Sequence, residues 1–420
     1  MNRFARLLCI DLRILDPIHG LIHFDDYGFQ PLLVRLINSR VFQRLRGIRQ
    51  LGLTELVYPG ASHARFSHSL GVAHLARIIT QKVRREVGAV FTERLQEQVI
   101  LAALLHDIGH GPYSHVFERV EGDQICHEKV GALLLQSSEI KAIFAKFDRL
   151  EDLDAIACLW RGQDISADIS GLSTIVSGAL DADRLDYLHR DQVLTGSFQG
   201  RFDWPWLLDN IVWSPKGLAL GHRAVYAAEE YLLARSHMYQ TVYFHRTVRG
   251  VEAILIRFLR RFCALSQSGE ISTDLALGRW YSQAAGTRNI TDFLALDDAH
   301  LQHVFATLES SEDEALAEDA RRLRYRQLYH CHEATEAEKQ ALLPRLQTAT
   351  QRAEFTAQTG VWTDEVYFKP YDSSQPILIE ADQEWVELSE VSNIVQSLEY
   401  PVQHLRLYYE DAEGLRCALS

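Results

Sequence analysis

The chain has 420 residues, 47% of them hydrophobic and 24% charged, which is enough apolar material for a substantial core in one large or two to three smaller domains. Its formal net charge of −13 repels polyanions on average and argues against wholesale wrapping of nucleic acid, whereas a small phosphorylated ligand needs only a local cluster of cations or a metal. No stretch approaches the roughly 18 apolar residues of a spanning helix, and MNRFARLLCIDLRILD holds too few apolar residues before Asp11 for a signal-peptide core, so a cytoplasmic protein with no membrane contact is expected. The six cysteines (Cys9, Cys126, Cys158, Cys263, Cys331, Cys417) lie far apart without a CxxC pair, as reduced thiols do.

In chain order the sequence reads as mostly helical, with short connections and no internal repeat. The turn DPIHG at Asp16 to Gly20 leads into a helical run through PLLVRLINSRVFQRLRGIRQLG, which Pro59 and Gly60 stop. Ser62 can cap the next helix, which carries His68 and His74. Val99 to Leu105, seven successive apolar residues directly before His106, predict a buried helix whose polar end projects from the core. After Gly109 to Pro112 the chain turns, and YSHVFERV resumes helical spacing. SQSGEISTD, Ser266 to Asp274, reads as a linker, and residues 275 to 355, including DEALAEDARRLRYRQL, as charged surface helices. EVYFKPYDSSQPILIEADQEWVELSEV and VQHLRLYYEDAEGLRC alternate as strands do, with a turn at Asp372 to Gln375. The expected architecture is mainly α, with a core over residues 1–265, a helical extension over 266–355 and a small α+β lobe over 356–420.

Seven of the 18 histidines (His63, His68, His74, His106, His110, His115, His127) crowd into residues 63 to 127, where an even spread would place about three. Imidazole binds borderline metals and moves protons near neutral pH, so the crowding points to a metal site, a proton-transfer site or both. Within HDIGHGPYSH, adjacent His106 and Asp107 would point about 100° apart on a helix and share an ion only if the helix end faces the site. His110 falls one turn from His106 on the same face, and Gly109 and Gly111 leave room for close approach. A lone histidine is more often a hydrogen-bonded core or surface residue, but this string has no packing rationale.

RFSHSLG (Arg65 to Gly71), HDIGHGPYSH (His106 to His115), HE (His127, Glu128) and DADRLDYLHRD (Asp181 to Asp191) occur in the order found in the HD-domain dNTP triphosphohydrolases, which the chain resembles from DPIHG to about Glu252. The nearest branch is that of the vertebrate enzyme with an added sterile alpha motif domain, here without that domain. The resemblance implies an HD-type helical core over residues 1–265 and a metal held by His68, His106, Asp107 and Asp183. Two imidazoles and two carboxylates suit iron, manganese, zinc or a similar divalent ion, with magnesium accompanying the substrate phosphates. It also implies hydrolysis of dNTPs to a deoxynucleoside and inorganic tripolyphosphate by metal-activated water attacking the α-phosphorus. His110, His115 and His127 match catalytic and substrate-contacting histidines; His115, oriented by Glu118 one turn later, is the first choice of general acid and His127 the competitor.

Arg65, Arg184 and Arg235 correspond to triphosphate contacts, Arg184 standing where lysine is common. Tyr187 can bond a phosphate, Asp191 and Gln50 match readers of the sugar 3′-hydroxyl, and Leu51 stands as an apolar wall at the ribose 2′ position. Tyr243 is expected to stack on the base, in a helix with Tyr239, His245 and Arg249 that reads equally well as aromatic core packing. The resemblance further implies a homo-oligomer, dimer or tetramer, and a nucleotide activator. Gln43 and Arg46 are retained, but Asn38 replaces the guanine-reading aspartate and the residues near Phe24 to Phe29 are inserted, so strict guanine activation is not expected. Two alternatives stay open: an HD-type phosphohydrolase for another nucleotide or oligonucleotide phosphoester, and a non-catalytic nucleotide-sensing module.

Overall fold

The computed structural model describes residues 12–24, 28–121, 126–272, 274–284, 287–382 and 384–420. Cys9, the N-terminal string up to Asp11 and part of the insertion after Phe24 lie outside them. The fold is mainly α, as expected. No helix among the described residues is long and apolar enough to cross a membrane, and no disulfide joins the described cysteines.

DPIHG forms the tip of an antiparallel hairpin, β1 (Arg13–Asp16) and β2 (Gly20–His23). Asp16 Oδ1 accepts from the backbone N–H groups of Ile18 and His19 at 2.9 and 3.0 Å, and Gly20 supplies the positive φ, 68°, that closes the turn. The single helical run expected next is broken into α1 (Gln30–Ile37), α2 (Arg40–Gln43) and a 3-10 turn at Arg44–Gly47. Asn38 and Ser39 cause the break: Asn38 Nδ2 donates to Val34 O, and Ser39 Oγ donates to Leu36 O while capping Phe42 N. Helix α3 (Arg65–Val87) starts after Ala64 rather than under a Ser62 cap, because Arg65 N donates to Ile48 O of the preceding segment at 2.9 Å.

Helix α4 (Glu93–Leu105) buries Val99 to Leu105 completely, as the apolar run predicts. It ends at Leu105, so His110 does not continue the helical face of His106. Tyr113 and Ser114, at φ 51° and 50°, turn the chain into α5 (His115–Glu121), and α6 (His127–Leu135), α7 (Ser138–Ala145) and α8 (Asp152–Trp160) follow. Helix α9 (Ala182–Thr195) is capped by Asp181, which accepts from Arg184 N at 2.7 Å.

Next come α10 (Trp204–Asp209), the hairpin β3 (Ile211–Ser214) and β4 (Gly217–Gly221), α11 (Val225–Met238) and α12 (Arg246–Ser268). Helix α12 runs through the start of the expected linker and stops at Gly269, φ 81°. Helices α13 (Ala276–Ser282), α14 (Ile290–Phe293), α15 (Asp298–Leu308) and α16 (Glu314–Tyr325) are not surface helices. Their Leu277, Trp280, Leu301, Phe305, Leu316 and Ala320 enter the main core as apolar stripes, and even some of their charges, Asp298, Asp319 and Arg322, are buried. Strands β5 (His330–Glu333), β6 (Trp362–Phe368) and β9 (Val402–Tyr409) form one antiparallel sheet in the order β5-β9-β6. The hairpin β7 (Leu378–Ala381) and β8 (Glu384–Glu387) instead joins the core hairpin through a parallel pairing of Leu220 with Ile379 on β4 and β7.

Candidate metal centre and active-site cleft

His68 on α3 and His106 and Asp107 at the end of α4 bring ligand atoms within 4.8 Å of one another, and Asp183 on the first turn of α9 stands against both histidines. His68 Nε2 lies 2.9 Å from Asp183 Oδ1 and 3.2 Å from His106 Nε2. His106 Nε2 in turn lies 3.2 Å from Asp107 Oδ1 and 3.6 Å from Asp183 Oδ1. Ligand atoms at right angles about one ion, each bonded at about 2.1 Å, stand about 3 Å apart, so these separations fit a shared cation. The far sides of both rings are tied down. His106 Nδ1 faces Ala103 O at 2.8 Å, a carbonyl that can only accept, and His68 Nδ1 faces Asp186 Oδ2 at 2.7 Å. With Nδ1 carrying the proton in each ring, both Nε2 lone pairs turn to the common point.

Electrostatics call for positive charge there. Burial disfavours a charged His68, yet Asp183 and Asp186 outweigh it and push its pKa up to about 10. Burial likewise opposes an ionised Asp107, but Arg65, His106 and His110 hold it well below the usual carboxylate range. Asp186 is itself fixed by Arg190, which also bonds Asp16 of the hairpin, and by His19 Nε2 at 2.6 Å. Gly71 makes room for this network, since a Cβ on it would stand 1.9 Å from Asp186 Oδ1.

A second histidine group adjoins the first. His110, His115 and His127 present Nδ1 to Glu118 at 3.3, 3.5 and 2.9 Å. The rings of His110 and His127 stack at 4.1 Å, but their acidities diverge. Burial, helped by Arg65, pushes His110 down to about 4, whereas for His127 burial is overcome by Glu118 and the pKa rises. Gly109 lets this turn meet α6, because a Cβ there would fall 1.9 Å from His127 O.

His106, Asp107, Asp183, His110, His115 and His127 line a cleft of about 530 Å³ that also takes in Gln50, Leu51, Arg65, Arg184, Tyr187, Asp191 and Tyr243, with His68 and Glu118 behind its wall. Arg65 donates to Asp107 Oδ2 at 2.7 Å and to Ser114 Oγ at 2.8 Å. Asp191 accepts from Tyr243 Oη at 2.9 Å and faces His63 Nε2 at 2.8 Å. Tyr243 meets Tyr187 edge-on and belongs to a π-helical turn, Tyr239–Tyr243. Arg184 Nη2 donates to Gln375 Oε1 at 3.2 Å. Arg235 is not on the cleft wall: its Nη1 donates to Pro370 O at 3.2 Å and its guanidinium lies against Tyr239. His245 is placed outside the cleft lining as well, capping α12. Away from the cleft, Gln43 Oε1 accepts from Arg46 Nε at 2.8 Å, and Arg46 covers the Phe66 ring.

Sequence reasoning missed Arg119 and Glu252 on the cleft wall and the supports behind it. Arg119 stands four residues after His115, a helical spacing that would have found it. Asp186 follows Asp183 by three on α9, an equally readable signal. Asp298 had none. From α15 it accepts from Tyr113 N at 2.8 Å and Arg49 N at 2.9 Å, joining the turn beside the histidines to the segment that carries Gln50.

The chain matches the HD domain over residues 65–191 and the HD associated region over residues 202–407. The Uncharacterized protein YwfO of Bacillus subtilis is 32% identical over 402 residues, 91% of this chain and 88% of that one. The phosphohydrolase BT4208 of Bacteroides thetaiotaomicron superposes with a TM-score of 0.79 at 26% identity, covering 96% of this chain and 100% of the other. These define a hydrolase of the HD phosphohydrolase class. The chain belongs to its HD-domain, dNTPase-like family, which includes the deoxynucleoside triphosphate triphosphohydrolase SAMHD1 of Mus musculus, 35% identical over 218 residues, 45% of this chain and 32% of that protein. The chain thus spans about a third of the mouse protein.

Proposed function

We propose that this protein hydrolyses deoxynucleoside triphosphates to a deoxynucleoside and inorganic tripolyphosphate, with His68, His106, Asp107 and Asp183 holding a divalent metal. The observation that carries the reading is the single cleft, which joins the metal-type donor set to cations, an oriented sugar acceptor and an aromatic wall. Its resemblance to relatives whose names state that activity adds support. A bound divalent ion would lower the pKa of a water nucleophile and offset phosphate charge.

The chain's own residues supply the rest. Arg65 and Arg184 meet the phosphates, and Tyr187 can donate to a phosphate oxygen. Asp191, held by His63 and Tyr243, keeps acceptor capacity for the sugar 3′-hydroxyl, with Gln50 beside it. Leu51 offers nothing to a 2′-hydroxyl, and burying one there without a partner costs about 1–3 kcal/mol, which selects deoxyribose. Breaking the bond between the α-phosphorus and O5′ leaves an alkoxide, and the imidazoles of His115 and His127, both linked to Glu118, stand ready to protonate it. Incubation with each dNTP and NTP in Mn²⁺ or Mg²⁺, followed by chromatography, tests the reading. Tripolyphosphate and a free deoxynucleoside are expected; pyrophosphate, monophosphate or no turnover would overturn it.

A further inference from the structure

We propose that His110, His115, Glu118 and His127 form a second cation site, separate from the His68, His106, Asp107 and Asp183 cluster, which binds a zinc-type divalent ion and stops turnover when filled. One ligand atom from each of the four residues falls within 4.8 Å of all the others. The Glu118 carboxylate stands 2.9, 3.3 and 3.5 Å from the Nδ1 atoms of His127, His110 and His115. Ligand atoms of a tetrahedral ion with bonds of about 2.0–2.1 Å are about 3.3 Å apart, close to the 3.3 and 2.9 Å from Glu118 Oε1 to His110 and His127, while His115 stands 3.5 Å from the other oxygen, Oε2.

His110 provides an independent pointer to a cation. Its side chain is 3% exposed, and its Nε2 lies 3.2 Å from Asp107 Oδ1, a carboxylate acceptor that favours the proton on Nε2. That leaves Nδ1 as a buried lone pair aimed at Glu118, 3.3 Å away, with no hydrogen bond closed between them. Two acceptors turned toward one another in a buried site repel, and an ion between them would convert the repulsion into two bonds. Asp107 then serves His110 as Asp186 serves His68, fixing the tautomer from behind. The site is assembled from three elements, the turn after α4, α5 and α6, and the close approach at Gly109 keeps them together.

The donor set selects the ion. Three imidazoles and one carboxylate favour zinc, copper(II), nickel or cobalt over magnesium or calcium, which prefer oxygen. The first cluster, with two nitrogens and two oxygens, is less selective. An ion on the Nδ1 atoms would also engage Glu118 and remove the histidine pair from proton transfer. That last clause rests on the proposed function, while binding itself does not.

The test uses the full chain stripped of metal with a chelator and titrated with Zn²⁺ by calorimetry and with Co²⁺ by visible absorption, without substrate. Two equivalents are expected, one of them giving the intense band of four-coordinate Co²⁺. His115→Ala is a tolerable change because that side chain is 71% exposed. It should abolish the band and weaken one equivalent by more than the 10- to 100-fold or so typical of losing a group behind a ligand, and His106→Ala should remove the other equivalent. Glu118→Gln, which conserves volume, should act like His115→Ala. A single equivalent in the wild type, or a second one that survives both His115→Ala and Glu118→Gln, would overturn the site. Turnover of any accepted phosphoester should rise with the first equivalent of Zn²⁺ and fall with the second, and a second equivalent that binds without inhibiting would refute the inhibitory role. Because binding is read without substrate, failure of the dNTP reading leaves this result intact.

Discussion

Two groups of histidines face one cleft, and they are held in different ways. His68 and His106 each have their own anchor, Asp186 and the Ala103 carbonyl, so each ring has one orientation and one free nitrogen. His110, His115 and His127 all turn Nδ1 to the one carboxylate of Glu118, and only His110 has a second carboxylate, Asp107, behind it. Separate anchors make rigid ligands, while a shared carboxylate makes rings whose protonation depends on one another. Sequence spacing alone puts both groups under one heading; their environments divide the labour.

Breaking the anchored group has the largest expected effect. His106→Ala should remove the equivalent of metal held by the first cluster, measured on the purified protein, and lower turnover by about 10³- to 10⁵-fold, the rate equivalent of several kcal/mol. A variant that keeps full metal content would remove His106 from the ligand set. In the shared group, His115→Ala and His127→Ala should each cost about 10²- to 10⁴-fold in turnover while the first cluster keeps its ion.

Glu118→Gln sharpens the contrast through pH. The raised pKa of His127 means that its contribution is fully present below about 6.5 and is lost as pH rises through the folded value. Removing the carboxylate leaves burial, which lowers that pKa, so the alkaline limb of the turnover profile should move to lower pH. A limb that stays in place would show that another group carries the proton. Asp186→Asn attacks an anchor instead, and chelator competition should find metal affinity weakened by about 10- to 100-fold.

The smallest effect is expected at Asp298, which serves the cleft from behind. Asp298→Ala strands the buried N–H of Tyr113 at about 1–3 kcal/mol and the half-buried N–H of Arg49 at less, and should lower the melting temperature by several degrees with metal content unchanged. Metal loss in that variant would mean that the Tyr113 turn supports the anchored group as well.

The apolar run Val99 to Leu105 needs no partner to declare a buried helix, and HDIGHGPYSH, with its neighbours, is dense enough to single out the histidines and carboxylates that line the cleft. Local pattern was weaker wherever side chains bond back to the main chain. Asn38 and Ser39 broke a run that looks continuous, and the backbone of Ile48 took the place of a Ser62 cap. The helices after residue 275 read as charged surface from strings such as α16, whose six charged residues outnumber the buried Leu316, Ala317, Ala320 and Leu323.

By itself, the sequence determined which residue types could bind a metal and move protons, because ligand chemistry belongs to the side chain. Only the tertiary structure decided how they divide into two groups. An imidazole's role depends on what its second nitrogen meets, and Asp186, Ala103, Asp107 and Glu118 are brought to those nitrogens by helix packing that no local spacing encodes.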